Sequence, residues 1–380
     1  MTKKQEQIMV KSKILIVGLN QLPHRYLYNQ CKYLADYFDI AVISPYEGLE
    51  KKTSNLFKTV YLDTGVPKSR FKLLKKLQTF TRIFRTIYGV RRHIRDEVYD
   101  LVYIWDQTWA FAIKLLLGPK YKYVMQMFAP GVTSSRVKNK FHDLQVEFNV
   151  RFFRHVFMGT ERVMRLFNVP PCKAHATGVG IEAIEYQDRV FESLDLVYLG
   201  ALTNRYVHES VEGFTRFFQA NQGRIRMSYK IIGGGSPEAV ELLKASIAAA
   251  GPEVPVQYLG RLEDAELISV FRASNIGVVY NRVTPYYTNN ISTKLYEYLL
   301  SGLPVIAVKN NSLLGVVTPS NGVLIEDNPE GFEQGLHILM ANLGNFNSQA
   351  IAQSGEERSV KTVVMNGVVP AFQKILSEAK

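Results

Sequence analysis

Five residues close together in the last third of the chain carry the clearest chemistry. Residues 285–305 read P-Y-Y-T-N-N-I-S-T-K-L-Y-E-Y-L-L-S-G-L-P-V. A helix is predicted to begin near Ser292, with Asn290 or Ser292 as its cap, and to end at Gly302 and Pro304. Its first turn would present N–H groups at the positive end of the helix dipole, ringed by the hydroxyls of Ser292 and Thr293. That arrangement suits a diphosphate. Lys294 in the same turn opposes the dipole unless it pairs with an anion. Glu297, three residues on and on the same face, can accept two hydroxyls of a ribose. The competing reading is a plain amphipathic helix whose Lys and Glu are solvated.

Other candidates fall where apolar runs give way to loops. After the first run the chain reads G-L-N-Q-L-P-H-R-Y, in which Gly18 allows a tight turn and His24 opens a helix. After 101–105 it reads D-Q-T-W-A-F-A, opening on Asp106. Both loops follow strands of one sheet, so Asp106 could meet His24 and orient its imidazole as a base. The bland alternative is that His24 caps a helix and Asp106 ends a strand. His142 and Asp143 are further base candidates. The run Gly233–Gly235, with Gly234 at its centre, lets backbone approach a ligand or simply makes a turn.

These residues need elements to hold them. Short apolar runs at 13–19, 40–45, 59–63, 101–105, 121–127 and 155–159 read as strands, as do 196–202, 227–233, 256–262, 276–280, 304–308 and 322–326. Helical patterns alternate with them, for example 26–38, 211–221, 237–250, 265–274 and 293–301. Near-continuous apolar strands interleaved with helices predict an α/β chain of two Rossmann-like, doubly wound parallel-sheet domains with a cleft between them. The boundary is placed in the polar stretch 182–192. The expected domains are residues 1–185 for the acceptor, residues 186–345 for the donor, and a helical segment 346–380 that packs back on the first domain. Ligands of such sheets bind beyond the carboxyl ends of the strands.

The stretch S-T-K-L-x-E-Y-L-x-S-G-L-P-V-I-A resembles the donor signature of GT-B glycosyltransferases, above all the large retaining family with a glutamate pair. It is also similar to the membrane-associated glucuronosyltransferase of xanthan assembly, which carries a Lys at the place of Lys294. The resemblance runs in order over residues 196–342, through L-V-Y-L-G-A-L, Y-K-I-I-G-G-G, V-Q-Y-L-G-R-L, the signature and N-G-V-L-I-E. It implies transfer of a sugar from a nucleoside diphosphate sugar, with UDP as the expected nucleotide, to a lipid-linked or polysaccharide acceptor in bacterial cell-surface glycan assembly. It also implies that Arg261 flanks the nucleotide base. His24 with Asp106 looks like the dyad of inverting small-molecule glycosyltransferases. The chain departs from the family at three places. Asn289 stands where the first glutamate belongs, Arg205 is the nearest cation after the first donor strand, and Pro130 occupies a loop where the xanthan relative places a base. No D-x-D pair occurs, so metal-independent donor binding is expected, with no cofactor.

Charge is divided unevenly. Residues 1–180 hold 30 Lys/Arg against 13 Asp/Glu, hence +17, while the other 200 residues come to −5. One half is thus expected to face an anionic surface. Residues 68–95 carry ten Lys/Arg, no acid, and apolar residues Leu73, Leu74, Leu77, Phe80, Phe84, Ile87 and Tyr88 at helical spacing. The expectation is a helix whose C-terminal half lies on the sheet and whose N-terminal half lies on anionic lipid. The apolar run 14–19 is too short for a leader, and nothing is long enough to span a bilayer. Two cysteines, Cys31 and Cys172, make no disulfide framework. The expected location is the cytoplasm, peripheral on the inner membrane face. Competing functions are a sugar-nucleotide 2-epimerase and a non-catalytic binding subunit. Nucleic-acid binding lacks a motif, and no G-x-G-x-x-G follows a strand to support a dehydrogenase.

Overall fold

The computed structural model describes residues 11–18, 24–45, 56–62, 72–127, 136–159, 161–283 and 292–379. The chain forms two compact units, residues 1–180 with 360–380, and residues 181–359. The first contains β1 (Lys13–Val17), α1 (His24–Leu34), β2 (Asp39–Ser44), β3 (Lys58–Tyr61), α2 (Lys72–Asp96), β4 (Leu101–Ile104) and α3 (Ala110–Leu117). It continues through β5 (Lys122–Met127), α4 (Arg136–Arg151), β6 (His155–Met158), α5 (Glu161–Leu166) and β7 (Ala174–Ala176). All pairings are parallel, in the order β3-β2-β1-β4-β5-β6-β7. Every strand run read from the sequence is a strand; three-residue β7 is too short to show an apolar pattern and was not anticipated.

Alternation along the strands splits the apolar residues of this sheet between two cores. Leu15, Val17, Val102 and Ile104 face a layer made by α2, α3 and α4. Ile83, Ile87, Val90 and Ile94 supply α2's share of that core, at the 4-3-4 spacing of one helix face. Phe84 and Tyr88, expected in that stripe, are instead exposed, because one residue's shift turns a helical side chain by about 100°. Ile14, Ile16, Leu101 and Tyr103 face the other way, onto α1 and the C-terminal residues.

The second unit contains β8 (Ser193–Ala201), α6 (Val207–Ala220), β9 (Arg226–Gly234), α7 (Pro237–Ala250), β10 (Val256–Gly260) and α8 (Asp264–Arg272). After these come β11 (Ile276–Val279), α9 (Thr293–Leu300), β12 (Val305–Val308), β13 (Gly322–Ile325), α10 (Pro329–Asn342) and α11 (Ser348–Gly355). Its parallel sheet has the order β10-β9-β8-β11-β12-β13, the same winding as the first. In each, the chain reverses its direction of winding at the first strand, so the switch point lies beside β1 and beside β8.

The polar stretch 182–192 is no free linker. Arg189 donates through Nη1 to the carbonyls of Phe271 (2.8 Å) and Ser274, and its backbone N–H bonds Ser348 Oγ at 3.0 Å. The terminal segment is divided between the units. Residues 346–359 belong to the second, where Gly355 fits closely against Leu299. Residues 360–380 return to the first, as α12 (Val360–Val363), a π-helical turn and α13 (Val369–Ser377). Phe372 of α13 is fully buried, with its ring 5.2 Å from both Phe157 and Tyr103. Lys122 Nζ caps the end of α13 on the carbonyls of Ile375 (2.9 Å) and Leu376 (2.7 Å). Phe372→Ala is expected to cost about 3–5 kcal/mol of stability, read as a lower urea midpoint in chemical denaturation.

Candidate functional site

The donor candidates gather at the carboxyl edge of the second sheet. Gly200, near the end of β8, pairs with Gly233 of β9, and a Cβ on Gly233 would lie 1.8 Å from Gly200 O; Gly233 also has φ +143°. No other residue fits there. This demand comes from the neighbouring strand, so pairing of β9 with β8 accounts for Gly233 without a turn or a ligand. Gly234 differs, because its missing Cβ makes room for Arg261, whose Nε would be 2.9 Å away. Two residues singled out in the sequence, Gly234 and Arg261, thus meet.

The loop after β8 is strained. Asn204 (φ 59°) and Tyr206 (φ 57°) are left-handed without being glycine, a conformation that costs of order 1–3 kcal/mol each. They flank Arg205, whose backbone N–H bonds Leu202 O at 3.2 Å. Ser236 N–H closes the loop onto Thr203 Oγ1 at 2.7 Å.

Helix α9 begins as expected, with Ser292 at the N-cap in extended conformation, but its hydroxyl makes no cap bond. Asn289 and Asn290 lie outside the described residues. Lys294 Nζ stands 2.7 Å from Glu297 Oε2, so the expected cation and carboxylate form a pair. Glu297 is only 7% exposed. Tyr298, fully buried, fixes the helix: its hydroxyl accepts from Leu199 N–H at 2.7 Å. Its ring also fills the space that a Cβ on Gly277 would need, 2.4 Å from Cγ. Helix α9 is therefore held against β8 and β11 through Tyr298.

A cluster that sequence reading missed lies on the same edge. Arg282, just past β11, binds both carboxylate oxygens of Glu209 in the first turn of α6, at 2.8 and 2.7 Å. Its guanidinium lies 4.5 Å from the Tyr206 ring centre, and its Nε 3.7 Å from Asp327 Oδ2. Asp327 Oδ2 in turn accepts from Val283 N–H at 2.8 Å. The three charges come from separate segments, and the only sequence signal was their position after strands or at a helix start.

In the first unit, Asp106 is 1% exposed and occupied by its own loop. Its Oδ1 accepts from Thr108 N–H (2.8 Å), Thr108 Oγ1 (3.1 Å) and Trp109 N–H (2.6 Å), which ends β4 and caps the approach to α3. That is the strand-end role weighed against the dyad. His24 heads α1, but its side chain lies outside the described ones. Gly18 has no left-handed φ, and among the described residues a Cβ there would meet nothing within 4 Å. Its N–H continues the ladder to Ile43 O at 3.1 Å.

A histidine does lie beside the Asp106 loop. His142 of α4 has Nε2 3.1 Å from Gln107 Nε2 and Nδ1 3.0 Å from Asp143 Oδ1. The same helix grips the loop through Gln145 and Asn149, which both donate to Thr108 O (2.9 and 3.1 Å). With Nδ1–H on the Asp143 carboxylate, Nε2 is the acceptor nitrogen, and the Gln107 amide donates to it.

Residues 193–342 match the family model described as glycosyl transferases group 1. The second unit is a domain of that family, and the class this defines for the chain is a glycosyltransferase. No curated protein matches the chain. Its fold is that of GT-B glycosyltransferases, shown by likeness to solved structures over nearly full length. A glycosyltransferase from Rickettsia africae is 13% identical, with TM-score 0.69 over 97% of this chain and 100% of that one. Anabaena HepE in complex with UDP and glucose is 14% identical, with TM-score 0.65 over 96% and 100%. The lipopolysaccharide outer core galactosyltransferase WaaB is 13% identical, with TM-score 0.62 over 95% and 99%.

Burial pushes the Asp106 carboxyl above its usual range, against the opposing donors of Trp109 and Thr108. A folded-state pKa above the unfolded one means stability present below the unfolded value and lost as pH rises through the folded value. Asp106→Asn retains an acceptor for the three donors without the charge. It is expected to raise the thermal midpoint at neutral pH, with the gain shrinking toward acid pH. A lower midpoint at neutral pH would mean that the cap needs the ionised group.

Proposed function

We propose that this glycosyltransferase moves a sugar from a nucleoside diphosphate sugar, UDP-linked, to a hydroxyl of a lipid-linked or polysaccharide acceptor in bacterial cell-surface glycan assembly. The observation that carries the donor half is the start of α9, where Ser292 makes no side-chain cap bond and Lys294 stands in the first turn beside nearly buried Glu297. A diphosphate there would accept from the N–H groups and from Ser292 and Thr293 hydroxyls, with Lys294 opposite its charge. Glu297 orients Lys294 and offers its carboxylate to the ribose. Arg261, packed on Gly234, and Arg205, on its strained loop, add cations along the same edge. HepE, solved with UDP and glucose, and WaaB, a lipopolysaccharide galactosyltransferase, favour this choice of donor and acceptor.

In the transfer, an acceptor oxygen bonds to the sugar carbon while that carbon's bond to the diphosphate breaks. The acceptor's proton goes to a base, and the diphosphate leaves with the negative charge that Lys294 and the arginines stabilise. His142, oriented by Asp143, is the base this reading assigns, with the acceptor hydroxyl displacing Gln107 from Nε2; His24 with Asp106 is the second reading, in which Asp106 Oδ1 already takes three donors. Donor binding proceeds without a metal. The protein works in the cytoplasm on the inner face of the membrane, drawn there by the basic first half. Among the described residues no helix is long and apolar enough to cross a bilayer.

Lys294→Ala is expected to weaken UDP binding at least tenfold, about 1.4 kcal/mol, in calorimetric titration. Equal binding would remove α9 from the donor site. His142→Ala should lower kcat by roughly a hundredfold or more with UDP affinity unchanged. Full turnover in that variant, with loss in His24→Ala, would return the base to the first histidine.

A further inference from the structure

The helical layer over one face of the first sheet has an unusual outer surface. Helices α2, α3 and α4 all send their inner residues into the same core. Their outer residues should then be polar, and many are aromatic or aliphatic. On α4, Val137, Phe141, Leu144 and Phe148 are exposed at 4-3-4 spacing, Phe141 by 70%. On α2, Tyr88 is 68% exposed and Phe84 lies one turn before it. On α3, Leu115 is 66% exposed. Phe111 joins α3 to α4, its ring 5.6 Å from Phe148 and 4.0 Å from Phe152. At typical side-chain areas the patch is on the order of 500 Å², at the upper end of what soluble monomers leave open.

The charges around it are mainly basic. Arg85, Arg91, Arg92 and Arg95 are exposed on α2, whose only acid is Asp96 at its end. Helix α3 has no acid, and Lys138, Lys140 and Arg151 are exposed on α4 beside the apolar stripe, where the acids are half-buried Glu147 and Asp143, the latter beside His142. A second copy of this chain would set one mainly basic surface against another. A protein partner would meet lysines where interface cores are depleted of them. An anionic bilayer matches both features, since apolar side chains enter the acyl boundary while Lys and Arg reach the headgroups.

We infer that the outer face of α2, α3 and α4 is the surface on which this protein lies on an anionic membrane, with the Phe141–Leu144 and Phe84–Tyr88 side chains inserted. This rests on the membrane-side reading given above and specifies it. It differs from the sequence expectation, which put contact on the N-terminal half of α2 through charge alone. Phe141 neighbours His142, so a lipid-linked acceptor held at this surface would arrive next to the proposed base.

The test uses the full chain and vesicles of phosphatidylcholine mixed with phosphatidylglycerol, with phosphatidylcholine vesicles as the control. Flotation of Phe141→Ser/Leu144→Ser and of Phe84→Ser/Tyr88→Ser is compared with wild type. Both pairs replace exposed side chains, so unchanged thermal midpoints check the fold. The expected result is at least tenfold weaker flotation for each pair, with UDP binding unaltered. Undiminished flotation of either pair overturns the inference, as does a wild-type dimer that these substitutions dissociate without changing flotation. Wild-type flotation without UDP binding would fail the donor reading instead, leaving the surface in place.

Discussion

A parallel sheet whose strands are apolar on both faces must be covered twice, and in this chain that requirement governs the course of the backbone. The first sheet sends Leu15, Val17, Val102 and Ile104 to one side and Ile14, Ile16, Leu101 and Tyr103 to the other. Helices α2 to α4 cover one side. Among the described residues helix α1 does not cover the other alone, and Val360, Val364, Phe372 and Ile375 of the last residues join it there. The last segment is therefore part of the first unit's core although the whole second unit intervenes in sequence.

The same constraint confines chemistry to the strand ends, since a sheet buried on both faces offers no surface of its own. At the carboxyl edge of the second sheet, Tyr298 ties α9 to β8 and occupies the volume that Gly277 leaves on β11. That packing fixes where Lys294 and Glu297 stand, and their pairing in turn keeps a nearly buried carboxylate compensated. Glu209, Arg282 and Asp327 brace the neighbouring strand ends in the same way. In the first unit the analogous edge is organised by α4, which holds the Asp106 loop through Gln145 and Asn149 and places His142 beside it.

Helix α4 also shows how one element can serve three surroundings. Val146 and Val150 face the core, His142, Gln145 and Asn149 face the loop, and Phe141, Leu144 and Phe148 face outward. With 3.6 residues per turn these sets fall on separate sectors. The hydrophobic pattern of such a helix is ambiguous, because two of its three faces are apolar for different reasons.

What the sequence alone determined was local. Apolar runs bounded by Gly, Pro and polar residues identify strands because backbone pairing and two-sided burial need nothing more than a short stretch of chain. The start of α9, its closing Gly302 and Pro304, and the shared face of Lys294 and Glu297 were legible for the same reason, since capping and i,i+3 spacing lie within a few residues. Only the tertiary structure decided which apolar face meets the core and which meets solvent, as at Ile83 against Phe84. It alone showed that Asp106 is taken by its own loop, and that Glu209, Arg282 and Asp327 converge. These outcomes depend on groups far apart in sequence brought together by packing, and no local pattern encodes which of many possible partners the folded chain will bring within reach.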